Sequence, residues 1–594
     1  MKFTAFDIET ADADTMFSAG PEFIRLAGWM TDDGPRTTSD IRGEFIPALD
    51  QAQYVHAHNG FGFDALALAY HFPDIVNWEE LSAKLLDTMV LERLRRPPNA
   101  DVVGKGKKQK YDLDTCCTIH GVGGKTNDIR QLAKIHGGYD SIPVDDPAYV
   151  EYLIGDVMAQ DALFNDLTRT RYAKREHEAE SWMGRMTLNG LRVDIPLLNE
   201  RIAEGDENKA YALNALDRDY GLPMGRFETK GRGNNKVENW EPATSPLSTL
   251  EGRQWMIEVY RAFGIPNPPI TDTGRISTKA EVLRGLINDD ILHPELVEIL
   301  NLIMTVTTTR TVYQTIDDHL VGDMVHARIN MGQASGRSSV TKPGITVMGK
   351  RGMRFHERDV FLADPGQSFF MCDLSQIDMR AIAALCGDQN YAALFAAGRD
   401  PHTETAIRFF GDASYREKAK PLTHGSNYGL GQKKLIDAGH DPDLVRRYFA
   451  ERKAQFKVLM RWQDEQRAIG KDTGFITGGF GRRMRVDKNR YYTQSPALMG
   501  QNGAAEVLKE CLLRLPAELR PFTRMMVHDE IDFSAPTKDV KEIMHEVKKA
   551  MTFGLGNDNG KLVITEFGEP GSVPIECDLS GPGQSWGGVI GDSK

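Results

Sequence analysis

Apolar and polar side chains alternate along "FTAFDIET" near the start of the chain. That period of two predicts a strand with Asp7 and Glu9 on one face and Phe6 and Ile8 on the other. A second strand is expected at "AQYVHAHN", and helices at "FDALALAYHF" and "YLIGDVMAQDALFNDLTRTRYAKREHE", so residues 1–175 read as an α/β domain. Residues 176–345 are mostly helical in pattern, as in "HPELVEILNLIMTVTTTRTVYQTIDDHL". The polar stretch "ETKGRGNNKVENWEPATSP" interrupts them as a loop. From 346 to 594, strand-like runs ("SFFMCDLS", "RMMVHDEIDFSA") mix with helices rich in basic residues. The fold class expected is therefore α/β and α+β in several domains.

With 594 residues, the chain is long enough for about three or four domains or subdomains. Its 41% hydrophobic and 26% charged residues are those of a folded protein. A net charge of -12 and a pI near 5.8 carry no basic signature, so any nucleic-acid surface has to be local. Six cysteines without C-x-x-C spacing read as reduced thiols. The chain shows no signal-peptide pattern and no apolar run near the roughly 18 residues of a membrane span, so a cytoplasmic location is expected. The Pro-, Gly- and Lys-rich stretch "RLRRPPNADVVGKGKKQKY" is read as an exposed loop, either a solvated excursion or a contact to a polyanion.

Two carboxylates side by side on one strand face repel each other unless a cation or a shared proton intervenes. Asp7 and Glu9 therefore belong either to a solvated edge or to a divalent-metal site. "HNGFGFD" puts Asp64 at a helix start, and "YLIGD" puts Tyr152 and Asp156 on one helical face. Asp7, Glu9, Asp64 and Asp156 are expected to converge on two divalent ions, with Tyr152 orienting a water.

A second constellation follows. Asp373 ends an apolar strand, while Asp529 and Glu530 occupy a tight turn between two apolar runs, a predicted β-hairpin. Between them Arg416, Lys420, His424 and Tyr428 recur every four residues. Their helix face is either a solvated amphipathic surface or a site for the phosphates and base of a nucleotide. Pro421 lies inside this helix and predicts a kink or a broken turn.

The ordered motifs D-x-E, N-x4-D and Y-x3-D resemble those of the DEDD-type 3′ to 5′ exonucleases in their Tyr-containing version. The order D-x-S-Q-I-acid-x-R, R-x3-K-x7-Y-G and H-D-E resembles motifs A, B and C of the family A DNA polymerases, with supporting matches at "QASGRSS", "DPHTETA", "GFITGGFGRRMRV" and "QNGAAEVLKE".

The resemblance implies a ribonuclease H-like exonuclease domain (1–175), a linker and thumb region (176–345), and palm and fingers (346–594, with fingers about 393–475). It implies Asp373 and Asp529 as catalytic metal ligands with Glu530 tuning them, and Arg416, Lys420 and His402 at the triphosphate. His424, Tyr428 and Asp378 would lie around the nascent pair, Arg337 and Gln501 on the minor groove, and His528 at the primer end. The cofactor implied is Mg²⁺, two ions per site, with Mn²⁺ as a substitute. The partners are primer-template DNA and dNTPs, with no processivity factor identified and no membrane. Because the first motif starts at Asp7, the compact replicative type of bacteriophages, acting in the cytoplasm of a bacterial host, is expected. A single-subunit RNA polymerase and a nuclease with a structural polymerase-like half are the alternatives.

Two positions depart from the pattern. Asp378 stands where motif A usually has Glu, and His424 where motif B usually has Phe or Tyr, which predicts altered sugar discrimination. Lys433, Lys434, Arg446, Arg447, Arg452, Lys453 and Lys457, followed by Arg482, Arg483 and Arg485, form either a phosphate-binding channel or a charged solvated face.

Overall fold

The computed structural model describes residues 4–99, 109–123, 129–167, 170–230, 237–271, 274–287, 292–308, 311–348, 357–437 and 439–590. Residues 100–108 of the basic loop expected between 93 and 111 therefore lie outside the described residues. The chain forms two compact units. One comprises Met1–Arg192, Met324–Lys350 and Phe361–Lys594, and the other Val193–Asp323 with Arg351–Val360.

The first unit begins with β1 (Phe6–Thr10), β2 (Ile24–Thr31) and β3 (Gly34–Thr38), joined antiparallel in the order β1-β2-β3. On the other side of the first strand lies β4 (Val55–Ala57), through a parallel bridge of Ala5 with His56 and the bond from His56 N to Thr4 O (2.9 Å). After α1 (Asp64–His71), β5 (Leu85–Asp87) runs parallel to β4, which completes the order 3-2-1-4-5. Phe6, Ile8, Phe45, Leu66 and Trp78 are buried in its core. The long helix α2 (Pro147–Asp166) packs on this sheet through Leu153 and Val157. Close approach is possible because residue 28 has no side chain: a Cβ there would lie 2.8 Å from Leu153 Cγ.

The pattern read as one helix over 152–178 is two. After α2, the chain turns extended at Leu167, and α3 (Arg171–Asn189) starts afresh. Helix α3 crosses the domain boundary expected at 175, and residues 176–192 and 324–345 belong to the first unit rather than to a separate thumb region. Along its buried face, Asn189 Nδ2 donates to Arg520 O (3.0 Å) and Thr523 O (2.7 Å), which ties it to the second sheet of the same unit.

That sheet contains β6 (Gln367–Leu374), β7 (Thr523–Val527), β8 (Glu530–Pro536) and β9 (Cys577–Gly583), all antiparallel in the order β7-β8-β6-β9. Phe370 and Phe533 stack across β6 and β8 at 4.8 Å. The expected hairpin is present, with His528 and Asp529 as its two-residue turn and His528 at φ 57.

In the second unit, the helices Ile195–Tyr220, Leu250–Ala262, Ala280–Ile287 and Pro294–Thr308 enclose Leu216, Trp255, Tyr260, Leu296, Leu300 and Ile303. The stretch read as a polar loop holds instead an antiparallel hairpin, Gly225–Lys230 with Val237–Pro242. Phe227 and Trp240 are cross-strand partners with ring centroids 4.9 Å apart, and this one aromatic pair holds strands whose other positions are mostly polar. Its tip, 231–236, lies outside the described residues.

Candidate active sites

The first site forms where α2 crosses β1. Asp7 and Glu9 project from one face of the strand. Asp156 comes from the helix turn next to Leu153 and Val157, and a ligand oxygen of each lies within 4.8 Å of the others. Asp64, at the first turn of α1, accepts a hydrogen bond from Ile8 N at 3.3 Å. Burial pushes the Asp64 carboxyl up to about 7, with Asp87 and Asp156 adding to the effect. Tyr152 is buried on the same helix. Its hydroxyl is pushed far up by burial and then by the charges of Asp156, Glu9 and Asp7, so it keeps its proton at neutral pH. The expected acids thus come together, apart from Asp64, which joins them through the β1 backbone. Gln160 was not anticipated: its Nε2 donates to Asp7 Oδ1 at 2.8 Å, and its only signal in the chain is its place one turn after Asp156.

The second site lies at the end of β6. Asp373 faces Glu530 across β8 and Asp578 across β9, and Leu374 N donates to Asp529 O at 3.0 Å. Glu530 is fully buried, and His528 is exposed at the turn. Beyond β6, α4 (Ile377–Cys386) carries Asp378, α5 (Pro401–Phe410) carries His402, and α6 (Arg416–Asn427) carries Arg416, Lys420 and His424, with Tyr428 at its C-cap. Of the kink or broken turn expected at Pro421, the broken turn is absent, since α6 continues through it. Pro421 is exposed, so the carbonyl of Glu417 that loses its partner can face water.

Asp378 is the centre of this pocket. Arg337 Nη2 donates to its Oδ1 at 2.6 Å, and the Asp378 charge bears on the Tyr428 hydroxyl. Burial first and Asp378 second push the Tyr428 hydroxyl up. Arg416 Nε donates to Asp400 Oδ2 at 2.6 Å, and Lys420 is exposed on the helix face. The His424 ring lies 4.7 Å from His402 and 6.1 Å from Tyr428. Gln501 is half-buried on α7 (Tyr491–Arg514).

Three expected roles change. His402 is 2% exposed and bonded through Nδ1 to Thr423 Oγ1. Burial, then His424, lowers its pKa to about 4, so it backs His424 as a neutral ring rather than meeting phosphate as a cation. Arg482, expected on DNA, is also 2% exposed and paired with Glu176, so it cannot reach a phosphate backbone. Arg452, one of the expected channel cations, is buried with its Nη2 on Asn427 Oδ1 at 2.6 Å. Arg483 remains exposed, stacked 3.6 Å from the Phe475 ring centroid. No sequence signal marked Glu176, whose bond to Arg482 joins residues 306 positions apart.

All the candidate ligands are carboxylates, the hard oxygen donors that suit Mg²⁺ or Mn²⁺. Among the described residues, the set whose ligand atoms already lie together is Asp7, Glu9 and Asp156. No helix among the described residues is long and apolar enough to cross a membrane.

A sequence profile described as DNA polymerase family A matches residues 253–588. DNA polymerase I of Chloroflexus aurantiacus is 28% identical over 424 residues, 66% of this chain and 44% of that protein. The thermostable DNA polymerase I of Thermus caldophilus is 30% identical over 515 residues, 76% of this chain and 56% of its own length. The chain thus spans about half the length of the curated relatives it matches. Among solved structures, the POL domain of Pol1 from M. smegmatis, in complex with DNA primer-template and dNTP, has a similar fold. Its TM-score is 0.70 at 17% identity, covering 98% of this chain and 96% of that one.

Proposed function

Because this chain belongs to DNA polymerase family A, we propose that it is a DNA-templated DNA polymerase with a 3′ to 5′ proofreading exonuclease. The observation that carries the polymerase reading is Asp373 at the end of β6, beside the hairpin turn that holds Asp529. The exonuclease reading rests on Asp7, Glu9 and Asp156 gathered on a sheet of order 3-2-1-4-5, the order of a ribonuclease H-like fold.

In synthesis, Asp373 and Asp529 would hold Mg²⁺ or Mn²⁺, and Glu530 tunes them from its buried place opposite Asp373. Bound there, such ions stabilise charge on the entering and leaving oxygens of a phosphoryl transfer. Arg416 and Lys420 take the charge of the triphosphate, while Tyr428, His424 and Asp378 close around the base and sugar. Arg337 and Gln501 face the minor groove of the primer-template, His528 adjoins the primer end, and Arg483 takes a phosphate. In the exonuclease, Asp7, Glu9, Asp64 and Asp156 would hold the metal ions. Tyr152, with its proton retained, positions the attacking water. The finer assignment, a replicative enzyme of the phage type in a bacterial host cell, is part of this proposal, while the relatives quoted are bacterial.

The test is extension of a labelled primer-template with Mg²⁺, with and without dNTPs. The native chain should extend with nucleotides and shorten the primer without them. Asp529→Ala should lose extension by about 1,000-fold or more and keep shortening, and Asp7→Ala should do the reverse. Extension that survives in Asp529→Ala overturns the polymerase assignment, and shortening that survives in Asp7→Ala overturns the exonuclease one.

A further inference from the structure

We infer that Arg482, held by Glu176, is a positioning residue for the nucleotide pocket: it carries the turn 333–337 that brings Arg337 to Asp378. The inference rests on the polymerase reading. Arg482 Nη1 donates to Glu176 Oε1 on α3. The same Glu176 accepts from Lys509 Nζ at 2.6 Å, and Lys509 donates onward to Glu506 at 3.0 Å, both on α7. Arg482 is 2% exposed, Glu176 3%, and Lys509 and Glu506 are fully buried. Burial opposes the charge on Glu176, yet Arg482 and Lys509 bring its pKa down to about 2, so the pair stays ionised at neutral pH.

The other edge of the guanidinium serves the turn. Arg482 Nη2 reaches Met331 O at 3.4 Å and Gln333 O at 3.5 Å. Gly336 lies directly over it. The turn closes with Gly336 N on Gln333 O at 2.9 Å, Gly336 adopts φ +80, and a Cβ there would stand 2.8 Å from Arg482 Nε. Asn502 on α7 holds the same turn from the side, donating to Ser335 O at 2.8 Å. The next residue is Arg337, 2.6 Å from Asp378. Only a planar fork can meet a carboxylate on one edge and two carbonyls on another, so lysine cannot replace this arginine. A buried ion pair is a poor source of stability but a sharp source of position.

The experiment is a double-variant cycle on the full chain, read as kcat/KM for single-nucleotide addition, with hydrogen exchange of residues 331–338 as a second readout. Arg482→Lys and Arg337→Ala should each lower kcat/KM by roughly ten- to a hundredfold. The double variant should be no worse than Arg337→Ala alone, and Arg482→Lys should lose exchange protection across 331–338. Multiplicative losses, or a turn still protected, would overturn the inference. If Arg482→Lys does not fold, Gly336→Ala, whose Cβ would press on the Arg482 side chain, lifts the same turn and must show the same non-additivity with Arg337→Ala. A native chain that fails to extend primers would instead overturn the polymerase reading, and exchange at 331–338 would still report whether Arg482 holds the turn.

Discussion

At the scale of single residues, burial turns acids into pH sensors. Glu180 on α3 is buried and accepts from Met331 N at 3.0 Å, and desolvation raises its pKa to about 7. A carboxyl with a folded pKa above its unfolded one favours folding while protonated. Its contribution is complete below the ordinary pKa of 4.5 and is lost as pH rises through about 7. Glu180→Gln keeps an oxygen for Met331 N and removes the titration. It should match the native chain near pH 4 and exceed it at pH 8 by about 3 kcal/mol in urea unfolding; a difference independent of pH would refute the assignment. Asp378 invites a second test. As the resemblance implies a sugar-excluding role, Asp378→Glu with His424→Phe should cut ribonucleotide incorporation by about tenfold, on the scale of one methylene in a pocket. Unchanged ribonucleotide and dideoxynucleotide selectivity would remove the role. The acids proposed to hold the metal ions were legible because each sits in a short motif whose spacing matches a strand or helix face. Arg482 was misread because charge in a sequence says nothing of burial, and its partner Glu176 is 306 positions away.

At the scale of elements, α6 shows how a local rule yields to its surroundings. Leu422 and Ala419 are fully buried on one side of this helix and Pro421 is exposed on the other, so packing holds the helix while the defect faces water. Pro421→Ala should restore one hydrogen bond and raise stability by up to about 3 kcal/mol. A loss of stability in urea unfolding would mean that the proline itself is needed where it stands. Strands and helices with strong periodicity, such as β1, β6 and α2, were readable directly. The hairpin of Gly225–Lys230 with Val237–Pro242 was not, because its stability comes from one cross-strand pair, Phe227 with Trp240, in an otherwise polar and Gly-rich stretch. The division of α2 from α3 was hidden for the opposite reason: apolar spacing continues through Leu167, which is buried although its backbone is extended. The boundary expected at 175 falls inside α3, whose buried positions run on through it from Tyr172 and Ala173 to Ala179, Trp182 and Met183.

At the scale of the whole molecule, an acidic protein that is to hold DNA must do so with few, well-placed cations. Of the cluster expected to line a channel, burial removes Arg452 and Arg482. Of those still exposed, Arg483 and Arg485 are separated by the buried Met484, so the pleat of their short strand turns them to the same side. Arg485 is also the cross-strand partner of Phe475, whose ring carries the Arg483 guanidinium. Two arginines on one face of a strand, one of them stacked on an aromatic ring, lose less freedom on meeting a phosphate backbone than lysines on a solvated helix. If each neutralises one phosphate, each releases about 0.9 counterion equivalents. Arg483→Ala with Arg485→Ala should therefore reduce the slope of log affinity against log salt for primer-template binding by about 2, and weaken binding most at low salt. The same pair should leave the urea midpoint within about 0.5 kcal/mol, because neither side chain is buried. An unchanged slope would assign these arginines to the solvated surface and shift the search to Lys433, Lys434, Lys453 and Lys457, which are exposed on the helices following α6. A reduced slope would explain how a chain with a net charge of -12 binds a polyanion: its DNA affinity resides in a few oriented cations rather than in its sum of charges.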